Sequence, residues 1–169
     1  MGNTKKSPFT DKKSRFVKQC FDAAFTAAKA FNLNPSVMIA QAAIETGWGE
    51  SSHAVTCNNY FGIIACGKIN AYWHGGKSTK THRGLCFRRY DAVENSFMDY
   101  GRLLRSQYGR AASLSYYPES FAQAISYSAY ICEQNGDNRE HYRRMLVSIE
   151  RDIREILYRE GLLPCEQSA

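Results

Sequence analysis

The chain has 169 residues, 44% of them hydrophobic and 22% charged, with a formal net charge of +6 at pH 7. That length and balance suit one folded domain around a single core, and they exclude a disordered tail, a collagen-like fibre and a low-complexity polymer. No window reaches the ~18 consecutive apolar residues of a membrane span, and the polar, basic start MGNTKKSPFTDKKSRF lacks the apolar centre of a signal peptide.

Residues 1–13 read as a flexible basic N-terminal segment. A first helix is predicted over 14–31, where Phe16, Cys20, Ala24, Ala27 and Phe31 follow helical spacing and Val17 and Phe21 widen the stripe. Asn34 is a good N-cap and Pro35 fits the first position of a second helix. That helix carries Val37, Ala40, Ala43 and Ile44 inward and stops near Gly47. Glycines at 62, 67, 75, 76 and 84 break residues 51–90 into short pieces, with 60–64 and 84–90 extended, which predicts a small hairpin or irregular β lobe. Helical periodicity returns at Phe97, Tyr100, Leu104 and Tyr108, and again after Pro118 with Phe121 and Ile125 inward. Tyr142, Leu146, Ile149, Ile153 and Ile156 mark a long last helix with a charged solvent face. The predicted class is α+β, mainly α: one domain over 14–160 with a small β-hairpin lobe, followed by a tail at 161–169.

Charge and cysteine are unevenly informative. Residues 51–90 contain no Asp or Glu, but hold Lys68, Lys77, Lys80, Arg83, Arg88 and Arg89 with His53, His74 and His82. A field this positive suits a polyanionic partner such as nucleic acid, an anionic membrane or an acidic glycan, or else is a solvated basic face. Six cysteines point to an oxidising compartment, and disulfides are expected, with Cys57 and Cys66 flanking one loop, Cys20 a buried thiol on a helix, and the choice among fifteen pairings left open. His and Cys follow no compact zinc spacing, so no metal is expected. Residues 71–78 fit a permissive phosphate-loop pattern, but neither an apolar strand before them nor a helix after them supports it, so no nucleotide cofactor is expected.

The most unusual segment is Ala40-Gln41-Ala42-Ala43-Ile44-Glu45-Thr46-Gly47-Trp48-Gly49-Glu50-Ser51. It ends an apolar helix on a carboxylate just before a Gly-Trp-Gly turn. Alanines around Glu45 leave it little hydration, and the helix C-terminus disfavours its charge; both raise a carboxyl pKa and suit a general acid. Trp48 offers a flat face for a sugar ring or a plug for the core. Trp73 and Tyr90, in the lobe, are groove candidates of the same kind.

Residues 36–51 resemble the glucosaminidase family of bacterial cell-wall hydrolases, which includes the flagellar muramidase-like domain and many autolysins. Three further runs are similar and in the same order: Asn58-Asn59-Tyr60-Phe61-Gly62-Ile63, Phe87-Arg88-Arg89-Tyr90 and Ser96-Phe97-Met98-Asp99-Tyr100. The resemblance covers about residues 14–150. It implies a lysozyme-like fold with a substrate groove beside the lobe, and hydrolysis of β-1,4 links in peptidoglycan, most often as an endo-N-acetylglucosaminidase. It makes Glu45 the general acid, puts Tyr130 beside the reacting sugar, and places Asn59, Phe61 and Tyr142 around them.

Two departures from the family pattern stand out. The lobe lacks the carboxylate that many members carry, so a second catalytic group is expected from the substrate's N-acetyl group, from a water held by Tyr130 or Asn59, or from Glu50, Asp91 or Glu133. The family's Tyr-Ala-Thr-Asp-Pro-x-Tyr tract is longer here, running Tyr130-Ile131-Cys132-Glu133 on to His141-Tyr142. Three readings follow: a glucosaminidase, an N-acetylmuramidase on the same glycan, or a catalytically weak peptidoglycan-binding module. The implied place is the periplasm, the cell wall or outside the cell. A monomer is expected that binds glycan strands and no nucleic acid. A wall hydrolase without a visible signal peptide also fits a delivered antibacterial effector paired with a dedicated inhibitor or immunity protein, or the catalytic part of a longer autolysin.

Overall fold

The computed structural model describes residues 8–163. Seven α-helices follow one another: α1 (Pro8–Phe31), α2 (Pro35–Thr46), α3 (Ser52–Cys57), α4 (Val93–Gln107), α5 (Gly109–Ser113), α6 (Pro118–Ser126) and α7 (Arg139–Arg159), with a 3₁₀ turn at Glu133–Asn135 before α7.

The centre is α2. Nine of its twelve residues are buried, from Ser36 to Ala43 and Thr46. A helix apolar on all sides belongs inside the core, and its alanines let neighbours approach closely. Packed around it are α1 and α7, with α4 against α1 and α6 against α7. Phe16, Val17, Cys20, Ala24 and Ala27 of α1 are buried as their spacing predicts, as are Leu146, Ile153 and Ile156 of α7. The α1–α4 contact needs Gly101: a Cβ there would stand 2.5 Å from the Phe31 ring.

The ends of α2 behave as the sequence predicts. The Asn34 side chain accepts from the Ser36 amide, Pro35 opens the helix, and Gly47 closes it in the left-handed region. Gly47, Trp48 and Gly49 all take positive φ, at 56°, 63° and 88°. This reversal sends the chain away from the helix immediately after Glu45.

Several expectations are corrected. Helix α1 begins at Pro8, so residues 8–13 are helical and not loose, while residues 1–7 lie outside the described residues. Leu162 and Leu163 pack against the core; 164–169 lie outside the described residues. The lobe, by contrast, takes the irregular of the two expected forms: two isolated antiparallel bridges, Ile64↔Phe87 between the two runs expected to be extended, and Lys77↔Arg88. Cys20, Cys57, Cys66, Cys86 and Cys132 are all free thiols, so the expected disulfides are not formed among the described residues: Cys57 turns into the protein and Cys66 is exposed. Cys165 lies outside the described residues. No helix among the described residues is long and apolar enough to cross a membrane.

Candidate active site

A cleft of about 920 Å³ runs between the helices and the lobe, lined among others by Glu45, Phe61, Gly62, Arg88, Tyr100, Tyr108, Tyr130, Asp137, His141 and Tyr142. Glu45 comes from the last turn of α2 and Tyr130 from the loop after α6, 85 positions apart in sequence. Their side chains meet: the Tyr130 hydroxyl donates to Glu45 Oε1 at 2.9 Å.

Below them is a polar layer inside the core. The buried Gln41, one turn before Glu45, accepts from the Tyr100 hydroxyl at 2.6 Å and donates to the Tyr142 hydroxyl at 3.3 Å. The Tyr130 ring lies 5.7 Å from that of Tyr108, 6.0 Å from Tyr142 and 6.4 Å from Tyr100. Three aromatic neighbours leave the Tyr130 ring little room to turn, which keeps its hydroxyl on the carboxyl. Phe61 stacks on Tyr100 with centroids 3.9 Å apart and forms the floor on the lobe side.

Electrostatics favour an acid at this point. Burial, helped by the charge of Asp137 and opposed in part by the Tyr130 hydrogen bond, raises the Glu45 pKa to about 7. Burial also raises the Tyr130 and Tyr142 hydroxyls, so both remain protonated donors at neutral pH. Gly62, at φ 62°, keeps the other carboxyl oxygen open: a Cβ there would sit 3.7 Å from Glu45 Oε2 and 3.9 Å from His53 Nε2. The His53 ring stacks on Phe87 with centroids 5.0 Å apart, and its Nε2 is buried without a hydrogen-bond partner. Burial lowers the His53 pKa, so its imidazole tends to neutrality. The arrangement is a carboxyl that titrates near neutrality beside a neutral phenol at the wall of an open cleft, able in its protonated form to give a proton to an oxygen bound there.

The other predicted site residues divide into two groups. Phe61 and Tyr142 line the cleft with Glu45 and Tyr130. Asn59, Trp73, Tyr90 and Trp48 lie outside the lining. Asn59 is fully buried and braces the lobe: its amide donates to the Ile63 and Arg88 carbonyls, and its oxygen accepts from the amides of Phe61 and Ile63. Trp73 is buried under the Arg88 guanidinium and donates to the Gly76 carbonyl. Tyr90 is buried and donates to Asp99 at 2.6 Å. Trp48 packs edge-on against Phe16 with Lys13 over its ring, on the α1 side. A lobe with two bridges must satisfy its backbone through side chains, and that work turns these polar and aromatic groups inward.

Sequence reasoning did not identify Gln41, Tyr100, Gly62, His53 or Asp137 as parts of the site. Gln41 was the most accessible of them, being a polar residue at i−4 from Glu45 in an otherwise apolar helix. Among the described residues, no three His, Cys, Asp or Glu side chains gather to hold a metal ion.

A family model described as mannosyl-glycoprotein endo-beta-N-acetylglucosaminidase, the glucosaminidase family, matches residues 21–155. The chain is 33% identical over 135 residues to peptidoglycan hydrolase FlgJ of Vibrio parahaemolyticus, covering 71% of this chain and 42% of that protein. It thus spans about two fifths of the length of the curated relatives it matches. A peptidoglycan hydrolase from Sphingomonas sp. A1 has the same fold, with a TM-score of 0.66 at 25% identity over 92% of this chain and 99% of that one. A chain in a type VI secretion system effector-immunity complex from Pseudomonas protegens shares it too, with a TM-score of 0.65 at 22% identity over 87% and 94% of the two chains. A match over 135 of 169 residues, on a lysozyme-like helical fold, makes this chain a member of the glucosaminidase family of glycoside hydrolases.

Proposed function

We propose that the protein hydrolyses β-1,4 glycosidic bonds of peptidoglycan as an endo-N-acetylglucosaminidase, with Glu45 as general acid. The observation that carries this reading is the Glu45–Tyr130 pair: a carboxyl raised to about 7 by burial, held by a phenol and opening on a cleft of glycan size. In the reaction Glu45 gives its proton to the glycosidic oxygen as the C–O bond breaks, and water supplies the new hydroxyl. Tyr130 keeps the carboxyl aimed, while Phe61 and Tyr142 form apolar walls for the sugar rings. Peptidoglycan is the substrate named for the Vibrio and Sphingomonas relatives, which supports placing the activity in the periplasm or cell wall.

The test is a digest of purified peptidoglycan by the native protein and by Glu45→Gln, with products reduced by borohydride and their ends read by mass spectrometry. Reduced N-acetylglucosamine ends are expected from the native protein, with a loss of about 10²–10⁴-fold in Glu45→Gln. Reduced N-acetylmuramic acid ends move the cut to the other bond. No ends from the native protein favour a binding module.

The fold shared with a chain of the Pseudomonas protegens effector-immunity complex supports a second reading, in which the hydrolase is an antibacterial effector restrained by an immunity protein. Directing the chain to the periplasm of a sensitive cell, with and without a co-expressed neighbouring small exported protein, tests it. Lysis that this protein prevents is expected; lysis unaffected by any neighbour favours a housekeeping autolysin.

A further inference from the structure

The lobe has no carboxylate, yet hydrolysis needs a group that activates water or attacks the sugar. Glu45 and Asp137 are the two carboxylates among the residues lining the cleft. The other acids considered from the sequence lie outside the lining and are engaged elsewhere. Glu50 pairs with Lys12 at 2.8 Å, Asp91 with His74 at 3.0 Å and Glu133 with Arg139 at 3.7 Å. Asp99 is fully buried between Arg88 and Arg102.

Asp137 differs from all of these. Its side chain has no hydrogen bond or ion pair among the described residues. It is exposed, and it sits on the short connection between the 3₁₀ turn and α7. Gly136 precedes it at φ 89°, with its amide donating to the Glu133 carbonyl at 3.0 Å. Asn138 follows it and caps α7 by accepting from the His141 amide at 2.8 Å. The neighbours do the structural work, which leaves Asp137 free to serve the cleft. Its charge reaches the Glu45 carboxyl across that space. One carboxyl is desolvated and the other is hydrated, the difference of environment that divides acid from base in paired-carboxylate sites.

We propose that Asp137 is the second catalytic carboxylate, the general base that deprotonates the water attacking the anomeric carbon. This rests on the glycosidase reading above. The water oxygen bonds to C1 as the C1–O bond to the leaving sugar breaks. The water's proton passes to Asp137 and the Glu45 proton passes to the leaving oxygen. Exchange with solvent then restores both groups. Attack opposite to departure inverts the anomeric centre, so the first product from a β-link is the α-anomer.

The experiment compares wild type, Asp137→Asn and Asp137→Ala on peptidoglycan and on its soluble glycan fragments, after confirming that both variants keep the wild-type melting midpoint. Turnover is expected to fall about 10²–10⁴-fold in both variants. Azide needs no base to act as a nucleophile, so it should restore cleavage by Asp137→Ala and leave an α-glycosyl azide. Proton NMR of the wild-type reaction should show the α-anomer first. A folded Asp137→Asn within about threefold of wild type overturns the proposal, as does a β-anomer formed first. A loss that azide does not reverse reduces Asp137 to a structural role and also overturns it. A wild type inactive on every glycan overturns the glycosidase reading itself, and Asp137's role with it. Activity in wild type and in Asp137→Asn alike leaves the glycosidase reading standing and removes Asp137 alone.

Discussion

Glu45, the proposed acid, carries a cost in stability. Its carboxyl binds a proton more tightly folded, near pH 7, than at its ordinary value of 4.5. The folded state therefore holds the extra proton, and stability falls as pH rises between those values. Below 4.5 both states are protonated and there is no penalty. Above about 7 the penalty is complete, at most about 3 kcal/mol from 1.36 kcal/mol per pH unit. Glu45→Gln keeps an oxygen that accepts from Tyr130 and carries no charge. Denaturant midpoints should therefore show the variant more stable than wild type at pH 8 and equal to it at pH 4. Equal stability at pH 8 would contradict a desolvated carboxyl. Tyr130 and Asp137 act on this group in opposite directions. The Tyr130 hydroxyl favours the ionised carboxylate, so Tyr130→Phe should move the Glu45 titration upward, as followed by carbon-13 NMR of its carboxyl. A downward shift, or none, would mean that the 2.9 Å hydrogen bond does not persist in solution.

At the scale of elements, one arginine replaces much of what a sheet would provide to the lobe. The Arg88 amide donates to the Ile63 carbonyl, and its guanidinium donates to the carbonyls of Ile64 and Cys66, lies over the Trp73 ring and pairs with Asp99 at 2.6 Å. Burial pushes the Asp99 pKa up, but hydrogen bonds from Tyr90, Arg102 and Arg88 with the Arg88 charge outweigh it, and the net shift is downward. A depressed carboxyl stabilises the fold above its unfolded pKa, and that contribution is lost as pH falls through the folded one. Arg88→Ala leaves the buried Asp99 charge with Arg102 as its remaining ion-pair partner and frees two carbonyls, and should cost about 3 kcal/mol at neutral pH by urea denaturation. A loss below about 1 kcal/mol would show that the lobe holds without this pair. The same construction explains what the sequence conceals. The long helices α1, α2, α4 and α7 are legible because 3.6-residue periodicity and caps such as Asn34 are local signals. The helices α3 and α5, of six and five residues, are too short to show a period. In the lobe, Asn59, Trp73 and Tyr90 look like groove residues because they sit among glycines, yet they serve as internal braces. Their partners are backbone carbonyls and a distant Asp99, which no spacing rule reveals.

At the scale of the molecule, the site forms where the end of α2 meets the loop between α6 and α7. Glu45 announces itself locally, as a carboxylate in an apolar helix before a glycine turn. Tyr130 is legible only through family resemblance, and Asp137 through neither, because both reach Glu45 by the packing of helices distant in sequence. Charge, by contrast, is legible without structure, and it leads to a prediction of its own. Lys77, Lys80, Arg83 and Arg89 are exposed on the lobe and lie outside the cleft lining, whereas Arg88 is spent in the interior. The acid-free stretch therefore presents a positive surface beside the cleft, and such a field draws in a polyanion in a salt-dependent way. Reversing Lys77, Lys80 and Arg83 to Glu removes two charges at each position, so the formal charge falls from +6 to zero. With its melting midpoint unchanged, this variant should cosediment with anionic sacculi at least about tenfold more weakly than wild type at ~0.05 M salt. The difference should shrink at ~0.5 M, where exposed charges are screened within a few ångströms. Equal binding at low salt would mean that the cleft alone captures the glycan and that the basic lobe is only a solvated face.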